Sequence, residues 1–382
     1  MIRRFMMVAL VALSALAGQA KSEMTWVDTP FGKLPSRVYY EIGKHHVQGV
    51  AVDVKNKCVY FSFTTSLIKT DYEGRLLGSV VGLTCHLGCI ELDAETGKLY
   101  GSMEYKDDAI GQGISGAAAK SRANSFYIGI FDTRKITRPD IDAATGGVLK
   151  AAYLKEVVDM YESKVRNAGQ TYDHKYGCSG IDGVSVGPQF GKTSGKKVLN
   201  VALGIYSDVN RADNDYQVLL QYDPAKLEAK ARPLTSFHKY GPKKADKYFF
   251  AYTGNTNWGV QNMEYDAYKG YWLLGVYNGK KPAFPNYSLF AIDGKVAARK
   301  DVLKGFDPVQ KGLVLTLADD GMKDARTGIR GWNAKADTGI ESLGQGYYYI
   351  SNNGKTKNKV QYCDLRLYKW TGNQENPFVE LK

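Results

Sequence analysis

Residues 47–74, VQGVAVDVKNKCVYFSFTTSLIKTDYEG, contain two strand-like patterns separated by a short turn. Val50, Val52 and Val54 alternate with small or polar residues, and this period of two is typical of a half-buried β-strand. The polar turn at 55–57, KNK, leads into a second strand rich in aromatic residues. A short polar turn between two such strands predicts a β-hairpin.

The same arrangement of lead-in, strand, polar turn and aromatic strand recurs four more times along the chain. The later segments are LGCIELDAETGKLYGSMEY from Leu87, SGIDGVSVGPQFG from Ser179, WGVQNMEYDAYKGYWLLGVYN from Trp258 and SLGQGYYYISNNG from Ser342. Periods near 40 to 50 residues built from short strands predict a β-propeller. At about 50 residues per blade, residues 21–382 predict an all-β, seven-bladed β-propeller. No Pro/Ser-rich linker divides the chain, so we expect a single domain.

Two smaller elements complete the predicted architecture. The N-terminal segment 26–42 and the C-terminal segment 366–372 are expected to share one blade, because closing the ring removes free sheet edges. Apolar residues at helical spacing between Ala151 and Val165 predict one helix inserted between strands.

The first twenty residues resemble a signal peptide. Arg3 and Arg4 precede the apolar stretch 5–17, and small residues follow at 18–20. The stretch is too short to span a bilayer comfortably. We therefore expect residues 1–20 to be a signal peptide, residues 21–382 to be the propeller, and the protein to be exported to the periplasm or the extracellular space, with no membrane anchor.

Composition limits the partners. The chain carries 51 Lys and Arg against 39 Asp and Glu, a formal net charge of +12. No nucleic-acid-binding motif is present, and export argues against a nucleic acid. An acidic polysaccharide suits both the charge and the predicted location, whereas a solvated basic surface without a function is the alternative. We expect a monomer.

Metal sites are poorly supported by the sequence. The chain has five cysteines, so at least one thiol is free. Cys85 and Cys89 flank His86, but no second Cys/His pair completes a zinc site, and buried strand thiols are the better interpretation. Residues 213–215, Asp-Asn-Asp, resemble half of a calcium loop without the remaining ligands, and a polar turn is favoured. A structural calcium ion is the one cofactor left open.

Chemistry in a propeller is expected at the loops that lead into the innermost strands, where the blades converge. Four of the five histidines fall at these places. The candidate residues before or at the repeat starts are Lys44, His45, His46, Gln48, His86, His174, Tyr252, Asn255 and Asn257. Asp182, within YGCSGIDG, is also expected to face the axis.

Several strings resemble a known family over essentially the whole of residues 21–382. They are HHVQGVAVD, HLGCIELD, YGCSGIDGVSVGP, GIYSDVNRADNDYQ and YTGNTNWGVQNMEYD. They are similar to secreted bacterial seven-bladed propellers that act on L-rhamnose-α-1,4-D-glucuronate termini of plant gums and arabinogalactan proteins, related in fold to ulvan lyases. The resemblance implies that the substrate is an acidic plant polysaccharide or oligosaccharide.

Two chemistries are associated with that family. Some members are α-L-rhamnosidases that use one His on the posterior face, and related propellers are lyases with a His, Tyr and Arg constellation on the anterior face. The posterior His aligns with Gln48, which cannot exchange a proton as imidazole does; a shift of two residues would align it with His46.

The resemblance therefore implies β-elimination rather than hydrolysis. Elimination removes a proton α to the glucuronate carboxylate, so it needs a base and a cation that neutralises this group. The catalytic candidates are His86, His174, Tyr206, Arg211 and Tyr252, with Arg211 expected to bind the carboxylate. Substrate-binding candidates are Lys44, His45, His46, Gln48, Asn255 and Asn257. An α-L-rhamnosidase and a non-catalytic glycan-binding propeller are the alternatives, and strand packing or a solvated turn would equally explain the tyrosines and the arginine.

Overall fold

The computed structural model describes residues 24–116, 123–235 and 237–382. The predicted signal peptide lies outside the described residues. No helix within the described ranges is long and apolar enough to cross a bilayer.

The chain begins with a small hairpin and a strand that belongs to the last blade. These elements are β1 (Trp26–Thr29), β2 (Gly32–Pro35) and β3 (Arg37–Ile42). Blade 1 is the sheet β4 (Gly49–Asp53), β5 (Cys58–Phe63), β6 (Ser66–Asp71) and β7 (Leu76–Val81), with β11 (Ile141–Asp142) parallel to β7. The valine-rich repeat at 47–74 thus forms the first hairpin of blade 1, as predicted.

Blades 2 and 3 follow along the chain, and blade 3 is the largest sheet, with six strands. Blade 2 consists of β8 (His86–Asp93), β9 (Lys98–Tyr105), β10 (Ser125–Asp132), β12 (Leu149–Tyr153) and β18 (Arg232–Pro233). Blade 3 consists of β15 (Cys178–Pro188), β16 (Lys197–Ile205), β17 (Tyr216–Tyr222), β19 (Lys247–Tyr252), β24 (Lys311–Leu315) and β23 (Arg299–Val302).

Blades 4 and 5 complete the ring. Blade 4 is β20 (Asn257–Asp266), β21 (Tyr271–Tyr277) and β22 (Leu289–Asp293). Blade 5 is β27 (Ile340–Gly344), β28 (Tyr347–Lys355), β29 (Gln361–Trp370) and β3, with β30 (Phe378–Glu380) against β29. Because β3 pairs with β29 from Arg37 opposite Arg366 to Ile42 opposite Gln361, the predicted closure of the ring by both ends of the chain is confirmed.

Small elements lie between the blades. Two further hairpins are β13 (Lys164–Asn167) with β14 (Gln170–Asp173), and β25 (Met322–Lys323) with β26 (Arg330–Gly331). The helices are α1 (Ala109–Ser115), α2 (Lys155–Glu162) and α3 (Pro224–Lys230), with 3₁₀ turns at Thr133–Lys135 and Lys175–Gly177. The predicted insertion helix exists as α2, but it is shorter than expected because residues 151–153 belong to β12.

The prediction of seven blades is wrong, because the described residues form five. The innermost strands β4, β8, β15, β20 and β27 contact one another in a closed ring. The five sequence repeats coincide with these five blades, so the error came from dividing the length by an average blade. The six-stranded blade 3 and the connection 154–177 between β12 of blade 2 and β15 of blade 3 take up much of the remaining length.

The inner strands pack so closely that glycine is required at their contacts. A Cβ atom on Gly49 of β4 would lie 2.8 Å from the backbone nitrogen of Ile90 on β8. Hydrogen bonds also cross between neighbouring blades, from the Cys89 N–H to the Asp182 carboxylate (3.2 Å) and from the Ser62 hydroxyl to the Gly88 carbonyl (2.7 Å). The axis is therefore a packed core rather than an open channel.

All five cysteines are buried, and none forms a disulfide. Cys89 lies on β8 and Cys85 immediately before it. The interpretation of these two residues as buried thiols is confirmed.

Candidate functional site

The predicted site residues collect where the inner strands begin. Gln48 immediately precedes β4, His86 begins β8, His174 lies shortly before β15 and Asn257 begins β20. We call the side of the propeller at which the inner strands begin the site face. The repeat starts therefore lie at one end of the inner strands.

Gln48 and His46 form one hydrogen-bonded unit at this face. The Gln48 side-chain amide lies 3.2 Å from His46 Nε2 and donates to the Thr64 hydroxyl at 3.2 Å. His46 Nδ1 lies 2.9 Å from the Val47 carbonyl, so Nδ1 carries the proton and Nε2 accepts from the amide. Gln48 thus orients His46, and it lies at the same end of the inner strands as His86. The resemblance implied that Gln48 lies on the posterior face and His86 and His174 on the anterior face, but all three lie at the same end of the inner strands.

His86 lies behind the surface in a buried charged cluster. Its Nδ1 is 3.7 Å from Glu104 Oε2, and the same oxygen accepts a 2.9 Å bond from Lys106 Nζ. Burial, followed by the positive charge of Lys106, lowers the pKa of His86 to about 3, so this imidazole is neutral near pH 7. The pocket beside it encloses about 10 Å³, which is too small for a sugar ring.

Glu104 and Lys106 were missed by sequence reasoning. Lys106 donates to the Ser179 carbonyl at 2.9 Å and contacts Glu104 and Asp108, so its ammonium group is fully engaged. The signal that could have found Glu104 is register, because it lies opposite His86 in the β8–β9 pair.

Two carboxyl groups near the start of the inner strands are held in low-dielectric surroundings. Glu104 accepts from the Ile181 N–H at 2.7 Å, and Asp182 accepts from the Cys89 N–H. Burial raises the pKa of Glu104 and raises that of Asp182 well above its usual range. The buried Asp182 therefore lies between β8 and β15, close to the axis, as expected.

A row of rings, formed by His174, Tyr206 and Trp258, runs across the site face. The ring centroids are 5.0 Å apart for His174 and Tyr206 and 5.4 Å apart for Tyr206 and Trp258. All three side chains are half-buried, so each keeps an exposed part. His174 also stacks on Tyr161, with centroids 4.7 Å apart.

The tautomer of His174 follows from its hydrogen bond. Nδ1 contacts the main-chain carbonyl oxygen of Tyr161, which can only accept, so Nδ1 carries the proton. Nε2 then presents its lone pair. Burial raises the pKa of the neighbouring Tyr206, which is therefore a neutral phenol near pH 7.

The backbone is unusual at both ends of this row. His174 has φ +65°, Tyr176 has φ +60° and Trp258 has φ +69°, all in the left-handed region that non-glycine residues rarely occupy. Such conformations cluster at functional sites, where the surrounding structure maintains them. The positions of His174 and Trp258 are thus imposed by the fold.

Arg211 has a structural role in this arrangement. It donates to both carboxylate oxygens of Asp213 at 2.7 and 2.9 Å, and to the carbonyls of Asp173 (2.7 Å) and His174 (3.0 Å). Its fork is occupied, so the expected binding of a substrate carboxylate does not fit this geometry. Arg211 instead positions the segment that carries His174.

The remaining predicted residues do not join the ring row. Tyr252 packs against Tyr216, with ring centroids 4.9 Å apart, and Lys304 Nζ lies 4.4 Å from the centre of the Tyr252 ring. Tyr252 therefore contributes to packing within blade 3. Asn255 is buried and Asn257 is half-buried at the start of blade 4. Lys44 is exposed, while His45 and His46 are half-buried.

Two acidic groups bear on cation binding. The calcium-like segment is already neutralised, because Asp213 pairs with Arg211 and Asp215 pairs with Lys281. By contrast, carboxylate oxygens of Glu91, Glu264 and Glu341, from three inner strands, lie within 4.8 Å of one another and could chelate a cation. We call these three residues the axial carboxylates.

The comparisons with known proteins identify no function. No family model and no curated protein matches the chain. Solved structures with some likeness include a nidogen/laminin complex (11% identity, TM-score 0.35, 83% of this chain and 84% of that chain). Another is the Dos1 propeller, with 10% identity and a TM-score of 0.30 over 94% of this chain and 85% of that chain. The PQQ domain of a pyranose dehydrogenase from Coprinopsis cinerea has 9% identity and a TM-score of 0.35 over 83% of this chain and 81% of that chain. The described residues form a β-propeller of five blades, whereas the family that the sequence resembles has seven.

Proposed function

We propose that the protein is a carbohydrate-active enzyme that releases terminal L-rhamnose from α-1,4-linked D-glucuronate by β-elimination. The observation that supports catalysis is the ring row, in which His174 offers the lone pair of Nε2 beside the neutral phenol of Tyr206. The substrate class is supported by the sequence resemblance and by the net charge of +12.

The ring row suits a sugar substrate. Trp258 presents a half-buried ring beside Tyr206, and an aromatic face offers apolar area with a fixed geometry. We assign Trp258 the role of a platform for a pyranose ring, with the reacting bond above His174 and Tyr206.

The elimination balances with these two groups. His174 Nε2 takes the C5 proton of glucuronate, the freed electron pair forms a C4–C5 double bond, and the C4–O bond breaks. Tyr206 gives its proton to the leaving rhamnose oxygen. The glucuronate carboxylate needs a nearby positive charge, and we assign this role to Lys175, which directly follows His174 in the chain.

Hydrolysis of the same linkage is the second candidate, supported by a different observation. Burial raises the pKa of the Asp182 carboxyl well above its usual range, as a general acid requires. A hydrolase would use Asp182 as the acid and would not need His174 as a base.

Incubation with gum arabic and with a rhamnosyl-glucuronate disaccharide distinguishes these proposals. Free rhamnose together with absorbance at about 235 nm, from the unsaturated uronate, supports elimination. Free rhamnose without that absorbance supports hydrolysis. Binding without either product would leave a glycan-binding propeller and reject catalysis.

A further inference from the structure

A basic groove of about 670 Å³ lies at the outer edge of blade 2. Its lining residues are Lys230, Arg232, Lys239, Tyr240, Gly241, Lys243 and Lys244. Five of these seven are cationic and none is acidic. Two neighbouring carboxylates are already paired elsewhere, Glu228 with Lys98 and Asp223 with Lys196. The groove therefore concentrates positive charge that no carboxylate of its lining offsets.

The residues that line the groove belong to the connection between β17 and β19 of blade 3, but hydrogen bonds hold this connection against blade 2. The Tyr127 hydroxyl donates to the His238 carbonyl at 2.7 Å, and the Tyr153 N–H donates to the Tyr240 carbonyl at 2.8 Å. A Cβ atom on Gly241 would lie 1.9 Å from the Tyr153 carbonyl oxygen, so only glycine allows this approach. The cations are thus presented on an anchored loop.

Strand register places the groove on the site face. His86, at the start of β8, lies opposite Glu104, which lies opposite Phe126 at the start of β10. Tyr127 in turn lies opposite Tyr153 at the end of β12. The loop that lines the groove is bonded to Tyr127 and Tyr153, so it lies radially outward from His86 at the same end of the blade.

We propose that this groove binds the acidic polysaccharide chain at uronate units beyond the bond to be cleaved, an inference that rests on the proposed function. Four of the five cations are lysines, and a lysine ammonium group can bind a carboxylate from many directions. Only one lining residue is an arginine, the side chain whose planar guanidinium binds phosphate in a bidentate manner. Tyr240 is the sole aromatic lining residue, whereas single-stranded nucleic acids are usually held on successive aromatic platforms. A flexible polyanion with one charge per sugar suits the groove better.

The test measures binding of polygalacturonate by calorimetry to the full chain and to a triple variant. The variant Lys239→Gln/Lys243→Gln/Lys244→Gln is expected to weaken binding at least about tenfold and to reduce its salt dependence. The matched control Lys355→Gln/Lys357→Gln/Lys359→Gln removes three exposed lysines from blade 5 and should leave binding unchanged. Equal weakening in both triple variants, or tighter groove-dependent binding of an oligothymidylate, would overturn the proposal.

Turnover separates this inference from the proposed function. The triple groove variant should raise KM for gum arabic and leave turnover of the disaccharide unchanged, because the disaccharide has no uronate units beyond the bond to be cleaved. If the wild-type chain cleaves neither substrate but the groove variant still loses polygalacturonate binding, the proposed function is rejected and the assignment of the groove as a polyuronate-binding site is retained. If cleavage occurs and polymer binding is insensitive to the groove lysines, the groove proposal fails alone.

Discussion

The hydrogen bond from His174 Nδ1 to the Tyr161 carbonyl determines what that imidazole can do. It fixes the proton on Nδ1 and leaves the Nε2 lone pair available as a base. His86 is a weak base by comparison, because burial lowers its pKa to about 3. Of the two histidines that the sequence favoured equally, the structure gives the better geometry to His174.

We therefore expect His174→Ala and Tyr206→Phe each to lower kcat by about 10²- to 10⁴-fold on the disaccharide, as for a lost acid–base group. Tyr172→Phe is the matched control, because the Tyr172 hydroxyl only donates to the Asn210 carbonyl at the surface. Steady-state kinetics with circular dichroism as a folding check makes the measurement. Full activity in a folded His174→Ala variant would reject this residue as the base.

Gln48 should matter for stability more than for turnover. Gln48→Ala removes the hydrogen bonds to His46 and Thr64, which we expect to cost about 1–2 kcal/mol in the free energy of unfolding. Since Gln48 is not part of the ring row, kcat should change by less than about threefold. Urea unfolding and kinetics on one preparation test both statements, and loss of all turnover would move the active site to the His46 side.

At the scale of strands, the hairpin patterns were predictable because each depends on a few adjacent residues. The valine alternation at 50–54 and the Gly-closed turn at 93–97 need no distant contacts to be recognised. The blade count depends instead on insertions such as 223–246, which leave blade 3 and add β18 to blade 2. The occupied fork of Arg211 was equally hidden, because two of its acceptors are carbonyls of the distant segment 173–174.

The close approach of the inner strands gives a prediction at the same scale. Gly49→Ala places a methyl group 2.8 Å from the β8 backbone, and neither strand can move without disturbing the ring. We expect a loss of about 1–3 kcal/mol in the free energy of unfolding. Gly43→Ala is the control, because a Cβ there meets nothing within 4 Å. Equal unfolding midpoints in urea for the two variants would contradict the tight packing of β4 on β8.

At the scale of the whole molecule, the closed ring forces the axial carboxylates together. Glu91 Oε1 accepts from the Val186 N–H at 3.1 Å, and Glu264 Oε1 accepts from the Ser342 N–H at 2.9 Å. These bonds do not offset the cost of burying the charges. Burial raises the pKa of Glu91 to about 8, and burial together with the neighbouring carboxylates raises that of Glu264 and Glu341.

This cluster makes stability depend on pH in a defined direction. The unfolded chain releases the proton of Glu91 above its ordinary pKa of 4.5, whereas the folded chain retains it up to about pH 8. The folded state therefore binds more protons in this window, and the free energy of unfolding falls as pH rises through it. Glu264→Gln should relieve the repulsion and stabilise the protein at pH 8 by about 1 kcal/mol or more, with a smaller effect at pH 5. Urea unfolding at both pH values, with the exposed Glu375→Gln as control, makes the comparison. An unchanged pH dependence in Glu264→Gln would show that the three carboxylates are not coupled through the axis.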